Sequence, residues 1–205
     1  TRLALGERSF AAWRRPSAGI EPWIGDCACC VAIIVFCLVL GLPRYRIGIG
    51  LTDEGFLAYG ADRVMHGQLP NRDFVSLQPP LSFYTSAAVF IVMGTSLVSL
   101  RTLGLFLYTS IPLLLYLIAR QKAGRLVSLA AAAPAVVMGM PFFNFVPFAV
   151  WHGNFAALVG VLSMMRGVIT GRQSWALGAG LATAKTVLSR HDQGFYLILS
   201  VLAYA

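Results

Sequence analysis

Charged side chains are scarce in this chain. Asp, Glu, Lys and Arg together make up 12% of its 205 residues, against about a quarter in an ordinary soluble domain. Hydrophobic residues make up 58%, and the mean hydropathy is +0.73. Leaving so much apolar surface in water costs more free energy than folding recovers. The composition therefore excludes a soluble globular domain and a disordered segment, and it predicts an integral membrane protein.

Acidic residues are missing from most of the chain. Seven of the eight lie at or before Asp73, and none occurs between Phe74 and His191. The net charge of +8 comes from 14 Arg and only two Lys. These cations stand between apolar runs, which is typical of loops that face anionic lipid headgroups, and no basic, aromatic-rich patch is long enough for a nucleic-acid surface. We therefore expect membrane lipids, and no nucleic acid, among the partners.

Cysteine is confined to one short stretch, and it offers no metal site. Cys27, Cys29, Cys30 and Cys37 fall in or beside the first apolar run. Their spacing lacks the second ligand pair that a zinc site needs. The pattern favours small apolar residues of a membrane span, and palmitoylation of the first three is the weaker alternative.

Six apolar runs predict membrane spans. They lie at about 24–42, 102–119, 126–142, 147–165, 174–188 and 194–205. A further run, Leu81 to Leu100, is divided by Gly94-Thr95-Ser96, and its first piece, 81–93, has the length of an interfacial or re-entrant helix. If this piece does not cross, the N-terminal tail and the basic clusters at 120–125 and 166–172 share the cytoplasmic side. A full crossing with a weaker charge bias is the alternative.

The sequence therefore predicts an all-α, polytopic transmembrane helical bundle with a long first outer loop over residues 43–101. In this loop an amphipathic helix over 54–66, ended by Gly67, and the piece 81–93 are expected to lie along the membrane surface. The last apolar run stops short. We therefore expect residues 1–205 to be the N-terminal part of one transmembrane domain, and to be inactive without the remainder.

The order of motifs in this loop resembles one family of membrane enzymes. The segment from Asp53 to Tyr84 reads D-E-G-F-L-A-Y-G-A-D-R-V-M-H-G-Q-L-P-N-R-D-F-V-S-L-Q-P-P-L-S-F-Y, and G-T-S-L-x-x-L-R follows at 94–101. This order resembles the first outer loop of GT-C glycosyltransferases, in the bacterial branch related to protein O-mannosyltransferases and the lipid A aminoarabinose transferase. The resemblance covers about Leu40 to Arg125.

The resemblance implies an inverting glycosyltransferase at the outer face of a bacterial inner membrane. Such an enzyme moves a sugar from a polyprenyl-phosphate donor to an acceptor hydroxyl on a glycan, a lipid or a protein. Asp53 matches the family's catalytic aspartate, which acts as a general base, and Glu54 either orients Asp53 or caps the helix. From the residues alone, helix capping by Asp53 is the stronger interpretation.

Gln78 departs from the family pattern. Relatives have an acid or a His at this position, where it is implicated in metal binding. A neutral amide is a poor metal ligand. We therefore expect no metal and no other cofactor.

Cations on the same side as the loop are candidate ligands for the donor phosphate. Lys185 and Arg190 stand at the outer end of the fifth predicted span, where the positive-inside rule does not favour cations. Together with Arg63, Gln78 and His191 they form the predicted substrate site. The alternatives are interfacial anchors for Lys185 and Arg190 and a solvated ion pair for Arg63. The rival function is a non-catalytic transporter or lipid-handling protein, in which Lys185 and Arg190 line a path for an anion.

Two further features receive structural interpretations. Arg101 is expected to mark the start of the second span. Trp151-His152 is expected to be an interfacial anchor at the start of the fourth span, with contact between the indole and a sugar as the alternative.

Overall fold

The computed structural model describes residues 21–48, 53–138 and 145–204. Over these ranges the chain forms α-helices and no strand. The helices are α1 (Glu21–Gly41), α2 (Asp53–Met65), α3 (Pro80–Met93), α4 (Leu97–Ala119), α5 (Arg125–Met138), α6 (Ala149–Thr170), α7 (Gln173–Ser189) and α8 (His191–Tyr204). The all-α prediction is confirmed for this part of the chain.

Among the described residues, three helices are long and apolar enough to cross a membrane. They are Trp23–Gly41 within α1, Leu97–Ala119 in α4 and Ala149–Thr170 in α6. These lengths suffice for a hydrocarbon core of about 30 Å at 1.5 Å per residue. The chain is therefore that of a membrane protein, and three of the predicted spans correspond to helices of spanning length.

The other three predicted spans correspond to shorter helices. The predicted spans 126–142, 174–188 and 194–205 match α5, α7 and α8, which have 14, 17 and 14 residues. Whether these helices cross the membrane stays a prediction. Residues 139–142 of the predicted third span and the basic N-terminal tail lie outside the described residues.

Helices α1 and α4 lie side by side in opposite directions, which defines two ends of the bundle. At one end, the Tyr45 hydroxyl just after α1 donates a hydrogen bond to the Val98 carbonyl in the first turn of α4, at 3.0 Å. We call this the loop end. At the other end, Asp26 near the start of α1 meets Arg120 just after α4. We call this the basic end.

The basic end is held by one carboxylate shared among three donor side chains. Asp26 accepts hydrogen bonds from Arg120 Nε at 2.8 Å and Arg120 Nη2 at 2.9 Å. The Tyr116 hydroxyl at 2.9 Å and Arg125 Nε at 3.2 Å complete the set. Because Arg125 begins α5, the cluster joins α1, α4 and α5. The predicted basic cluster at 120–125 therefore lies at the end of the bundle opposite to Tyr45.

Helix α2 lies across the loop end. Its first turn contacts Arg101 of α4 through Glu54, and the Met65 sulfur at its other end lies 4.0 Å from the Thr95 hydroxyl, just before α4. Gly67 follows the helix with a φ of +80°. A residue in this left-handed conformation cannot continue a right-handed helix, so the helix ends here. The predicted helix over 54–66 is thus present with one residue's difference at each end.

Helix α3 ends where the sequence predicts a break. Gly94 has a φ of +85°, and the Ser96 hydroxyl accepts a hydrogen bond from the Ser99 N–H at 3.0 Å, which caps the start of α4. Since α1 ends and α4 begins at the loop end, the chain between them leaves and returns on the same side. This path agrees with a non-crossing α3, which stays a prediction.

Helices α6 and α7 form an antiparallel hairpin with the most extensive contact in the described bundle. Gly171, with a φ of +68°, provides the left-handed turn between them. Small residues allow the close approach: a Cβ at Gly160 would lie 3.5 Å from the Ala182 methyl, and a Cβ at Gly178 would lie 3.5 Å from the Ser163 hydroxyl. The hairpin places the start of α6 and the end of α7 together.

Candidate functional site

A cavity of about 650 Å³ opens at the loop end, where the starts of α2, α3 and α6 meet the junction between α7 and α8. Its volume lies within the range of roughly 300–1,000 Å³ that is typical of small-molecule sites. The lining residues are Asp53, Leu77, Gln78, Pro79, Phe148, Ala149, Val150, Arg190, His191 and Asp192. Four of the predicted site residues, Asp53, Gln78, Arg190 and His191, therefore line one cavity although they are far apart in the sequence.

The lining of the cavity is amphipathic. Asp53 and Gln78 supply polar groups from the loop, and the α7–α8 junction supplies the paired charges of Arg190 and Asp192. Leu77 and Phe148 are among the apolar lining residues. Leu77 is 87% exposed, so an apolar side chain projects at the rim. A ligand with a charged head and an apolar tail matches this distribution.

Asp53 and Glu54 are adjacent in sequence but have opposite environments. Successive residues of a helix point about 100° apart, so Asp53 is exposed at the cavity while Glu54 is fully buried. The Glu54 carboxylate accepts two hydrogen bonds from Arg101, one from Nε at 2.6 Å and one from Nη2 at 2.8 Å. The two side chains are 0% and 5% exposed. Glu54 therefore contacts Arg101 and is not part of the cavity lining.

Arg101 also ties the end of α1 to this pair. Its Nη1 donates to the Tyr45 carbonyl at 3.1 Å, and its Nη2 donates to the Gly48 carbonyl at 2.6 Å. From sequence, Arg101 was expected only to mark the start of a span. The structure shows that it joins the segment after α1, the first turn of α2 and the start of α4, and so fixes the helix that carries Asp53.

Arg190 is paired with Asp192 across the α7–α8 junction. Arg190 Nε donates to Asp192 Oδ1 at 2.9 Å, and Nη2 donates to Oδ2 at 2.6 Å. The hydrogen bonds from Arg190 lower the pKa of Asp192 to about 2. Asp192 is thus an anion that faces Arg190, and part of the guanidinium's hydrogen-bonding capacity is engaged within the protein.

Arg63 holds the loop together and does not line the cavity. It donates hydrogen bonds to the Tyr59 hydroxyl at 2.6 Å, to the Asp73 carbonyl at 3.1 Å and to the Gln68 side chain. Its guanidinium also lies 5.2 Å from the centre of the Phe74 ring. These contacts join α2 to the segment that follows it.

The segment from Leu69 to Phe74 is a hydrogen-bonded turn. Asp73 accepts from the Leu69 N–H at 2.7 Å and from Arg72 at 2.9 and 3.0 Å. The Arg72 hydrogen bonds, and then the Leu69 N–H, hold the pKa of Asp73 below its usual range. The Asn71 N–H donates to the Phe74 carbonyl at 2.8 Å. The Asp73 carboxylate therefore holds the turn closed through hydrogen bonds with Leu69 and Arg72.

Lys185 lies outside the cavity lining, on α7. Its ammonium is 5.6 Å from the centre of the Phe155 ring of α6. Within the described residues no carboxylate forms an ion pair with it. Lys185 does not line the cavity with Arg190, but its charge acts on His152 of α6. Binding of the phosphate by both cations stays a prediction.

A buried polar group beside the cavity was not predicted from sequence. His152 of α6 is 1% exposed, whereas the expectation for Trp151-His152 was an interfacial anchor. Ser189 and Gln193, which flank the α7–α8 junction, also carry buried polar atoms without partners. In the sequence these three residues are recognisable only as polar residues next to apolar runs. That pattern is too common to identify them as a site.

Metal ligands do not cluster in the described part of the chain. No group of three or more His, Cys, Asp or Glu side chains there is arranged to hold an ion. No family model, curated protein or solved structure matches the chain. The GT-C resemblance therefore rests on the motifs of the loop, and the function that it implies stays a prediction.

Proposed function

We propose that this chain belongs to an inverting glycosyltransferase, which moves a sugar from a polyprenyl-phosphate donor to an acceptor hydroxyl. The observation that carries the proposal is the cavity at the loop end. It brings an exposed carboxylate, Asp53, and a guanidinium, Arg190, into one cleft with an apolar rim. A proton acceptor, a cation and an apolar surface are what transfer from a lipid phosphate requires.

In this mechanism Asp53 accepts the proton of the acceptor hydroxyl while that oxygen attacks the anomeric carbon of the donor. The bond between the anomeric carbon and the phosphate oxygen breaks, and its electron pair leaves with polyprenyl phosphate. Attack opposite to the leaving group inverts the anomeric centre and needs no covalent nucleophile. Arg190 stabilises the negative charge that develops on the phosphate.

The apolar rim suits a donor that arrives through the membrane. Leu77 is highly exposed at the cavity, which Pro79 and Val150 also line. A polyprenyl chain can lie against these residues while its phosphate reaches Arg190. We therefore place the cavity at the membrane surface, with residues 43–101 outside a bacterial inner membrane and the Asp26–Arg120 cluster in the cytoplasm, in accordance with the positive-inside rule.

Glu54 acts as a positioning residue in this proposal. Its ion pair with Arg101 is buried and bidentate, so the first turn of α2 is held against α4. A general base must lie within hydrogen-bonding reach of the proton that it removes. Fixing α2 in this way fixes Asp53 at the cavity.

The test is Asp53→Asn in the full-length protein, incubated with a panel of polyprenyl-phosphate sugars while released polyprenyl phosphate is measured. Asn caps a helix about as well as Asp, but it cannot accept the proton. Losing a general base lowers the rate by about 100- to 10,000-fold. Asp53→Asn should therefore fold normally, bind the donor and lose transfer.

Asp62→Asn is the matched control. Asp62 is on the same helix, outside the cavity lining, and its carboxylate lies 3.8 Å from His66 Nδ1. It undergoes the same chemical change and should retain transfer. Turnover of Asp53→Asn within a few-fold of the parent would make Asp53 a helix cap. Donor binding without transfer by the parent would favour the non-catalytic lipid-handling alternative.

A further inference from the structure

Several buried polar atoms have no hydrogen-bond partner. In the described residues they are Gln78 Oε1, Ser86 Oγ, both ring nitrogens of His152, Ser189 Oγ and Gln193 Oε1. The great majority of buried polar atoms in proteins are hydrogen-bonded, so each exception requires an explanation. A ligand that enters the cavity would supply partners for those atoms that lie beside it.

Most of these atoms belong to residues beside the cavity wall. Gln78 itself lines the cavity. Ser189 immediately precedes the lining residue Arg190, and Gln193 immediately follows Asp192. His152 lies three positions after the lining residue Ala149, on the same face of α6. We call His152, Ser189 and Gln193 the polar seat.

Gln193 of the polar seat lies against α6. Gln193 Nε2 donates to Asn154 Oδ1 at 2.8 Å, which holds the Gln193 amide against α6. A Cβ added to Gly153 would overlap Gln193 Oε1. The absence of a side chain at Gly153 thus lets this amide oxygen lie next to the backbone beside His152. The Pro147 carbonyl is near the imidazole, but neither ring nitrogen has a partner with hydrogen-bonding geometry.

The chemistry of the unpartnered atoms selects the ligand. The amide oxygens of Gln78 and Gln193 only accept hydrogen bonds, the Ser189 hydroxyl both donates and accepts, and a neutral imidazole offers one donor and one acceptor. A phosphate brings acceptors alone and would face two amide oxygens in the seat, so it suits Arg190, and Lys185 whose charge acts on His152, better than it suits the seat. A ring with several hydroxyl groups supplies both donors and acceptors without charge.

We propose that the polar seat, together with Gln78, binds a neutral polyhydroxylated ring, the sugar moiety of a ligand that enters the cavity. In this arrangement Arg190, which lines the cavity beside the seat, contacts the phosphate. The inference rests on the proposed function for the identity of the lipid-linked ligand. The sugar has two sources, the donor or a saccharide acceptor, and binding to the seat serves either.

The test measures the affinity of the full-length protein for polyprenyl phosphate, polyprenyl-phosphate mannose and free methyl mannoside. Ser189→Ala and His152→Phe should each weaken binding of the mannose-bearing lipid by about fivefold to tenfold, the effect of losing one or two hydrogen bonds. The affinity for polyprenyl phosphate should not change. If the seat binds the acceptor sugar, the same loss falls on methyl mannoside and the two lipids are unaffected.

Two further variants separate binding from folding. Ser163→Ala removes a buried hydroxyl between α6 and α7 that packs near Gly178, away from the seat, and should leave all three affinities unchanged. Gly153→Ala removes no polar group but displaces the Gln193 amide, and its Cβ would also lie 3.2 Å from Arg190 Cγ. It should therefore reproduce the loss of sugar binding and also weaken binding of polyprenyl phosphate.

Unchanged affinities for mannose-bearing lipid and for methyl mannoside in Ser189→Ala and Gly153→Ala would overturn the inference. The proposed function fails separately, because it requires turnover that Asp53→Asn abolishes. Sugar binding that depends on the seat, without any turnover, would leave the seat established and the transferase refuted.

Discussion

At the scale of single residues, Asp53 and Glu54 are adjacent acids with different environments and different proposed roles. Asp53 faces the cavity, whereas Glu54 is buried against Arg101 with two hydrogen bonds. A buried pair contributes little net stability relative to apolar residues, but removing one partner leaves the other charge buried and uncompensated. The main contribution of the ion pair is therefore to fix the position of α2 against α4, and its net contribution to the free energy of unfolding is small.

Glu54→Gln should be strongly destabilising because it leaves the Arg101 guanidinium without an anion. Breaking a buried ion pair costs about 3–5 kcal/mol. We expect a lower unfolding midpoint in detergent and reduced transfer. The double variant Glu54→Leu with Arg101→Met should recover most of the lost stability. Destabilisation by the double variant that equals the sum of the two single effects would show that the residues do not act as a pair.

Asp192→Asn should increase the affinity for polyprenyl phosphate several-fold. The carboxylate engages two nitrogens of Arg190, and its removal frees them for the phosphate. Because Arg190 lowers the pKa of Asp192 to about 2, Asp192 is ionised throughout the neutral range. The ion pair is complete above the ordinary pKa of an Asp, and it is lost only as the pH falls toward 2.

Donor affinity of the parent should therefore not vary with titration of Asp192 between about pH 4 and pH 8. Asp73→Asn is the control for the substitution at Asp192. Asp73 is an anion of the loop turn that also pairs with an arginine, and it does not line the cavity. Its substitution should leave the affinity for polyprenyl phosphate unchanged. Equal effects of the two substitutions would argue against a phosphate site at Arg190.

At the scale of helices, the contact between α2 and α3 sets the geometry of the loop. A Cβ at Gly60 would overlap the Phe83 ring. This ring is fully buried and makes edge-to-face contacts with Phe56 and Phe74, with ring centres 5.9 and 5.8 Å apart. The ring has no free space into which it can move, so α2 itself must shift to admit a methyl group.

Gly60→Ala should therefore destabilise the protein by about 1–3 kcal/mol, the usual cost of overpacking, and should lower transfer by displacing Asp53. Gly55→Ala is the matched control on the same helix. Nothing lies within 4 Å of a Cβ at Gly55, and replacing Gly by Ala inside a helix stabilises it by about 0.5–1 kcal/mol. Thermal unfolding of both variants in detergent distinguishes the two sites. A stabilising Gly60→Ala would refute the packing argument.

At the scale of the whole molecule, the two ends of the bundle carry different chemistry. The loop end holds the cavity, and the basic end holds Asp26 among Arg120 and Arg125. Helices α1 and α4 each run between these ends, so residues 43–101 begin and finish at the loop end. This arrangement agrees with the distribution of basic clusters along the sequence.

Single cysteines at His66 and Lys122, in a variant without the four native cysteines, should react with an impermeant thiol reagent from opposite sides of the membrane. Both positions are exposed, the first in the loop and the second at the basic end. His66→Cys should be labelled from outside in intact cells, and Lys122→Cys only after permeabilisation. Labelling of both from the same side would refute the topology.

The sequence by itself determined the class of protein and the outline of its helices. Several long apolar runs without charge favour helices in a membrane, because the backbone must satisfy its own hydrogen bonds there. Local signals were equally direct, since Gly67 and Gly94 adopt the positive φ that ends a helix. The break before α4 and the amphipathic α2 could therefore be predicted.

Only the tertiary structure decided which polar residues meet. Periodicity cannot show that Arg190 reaches the cavity of Asp53 while Lys185, on the preceding helix, lies over Phe155. Nor can it show that Arg101 pairs with Glu54, or that a histidine of α6 is buried without a partner. These outcomes depend on how helices distant in sequence are placed side by side, and that placement follows from packing over the whole bundle and not from any one segment.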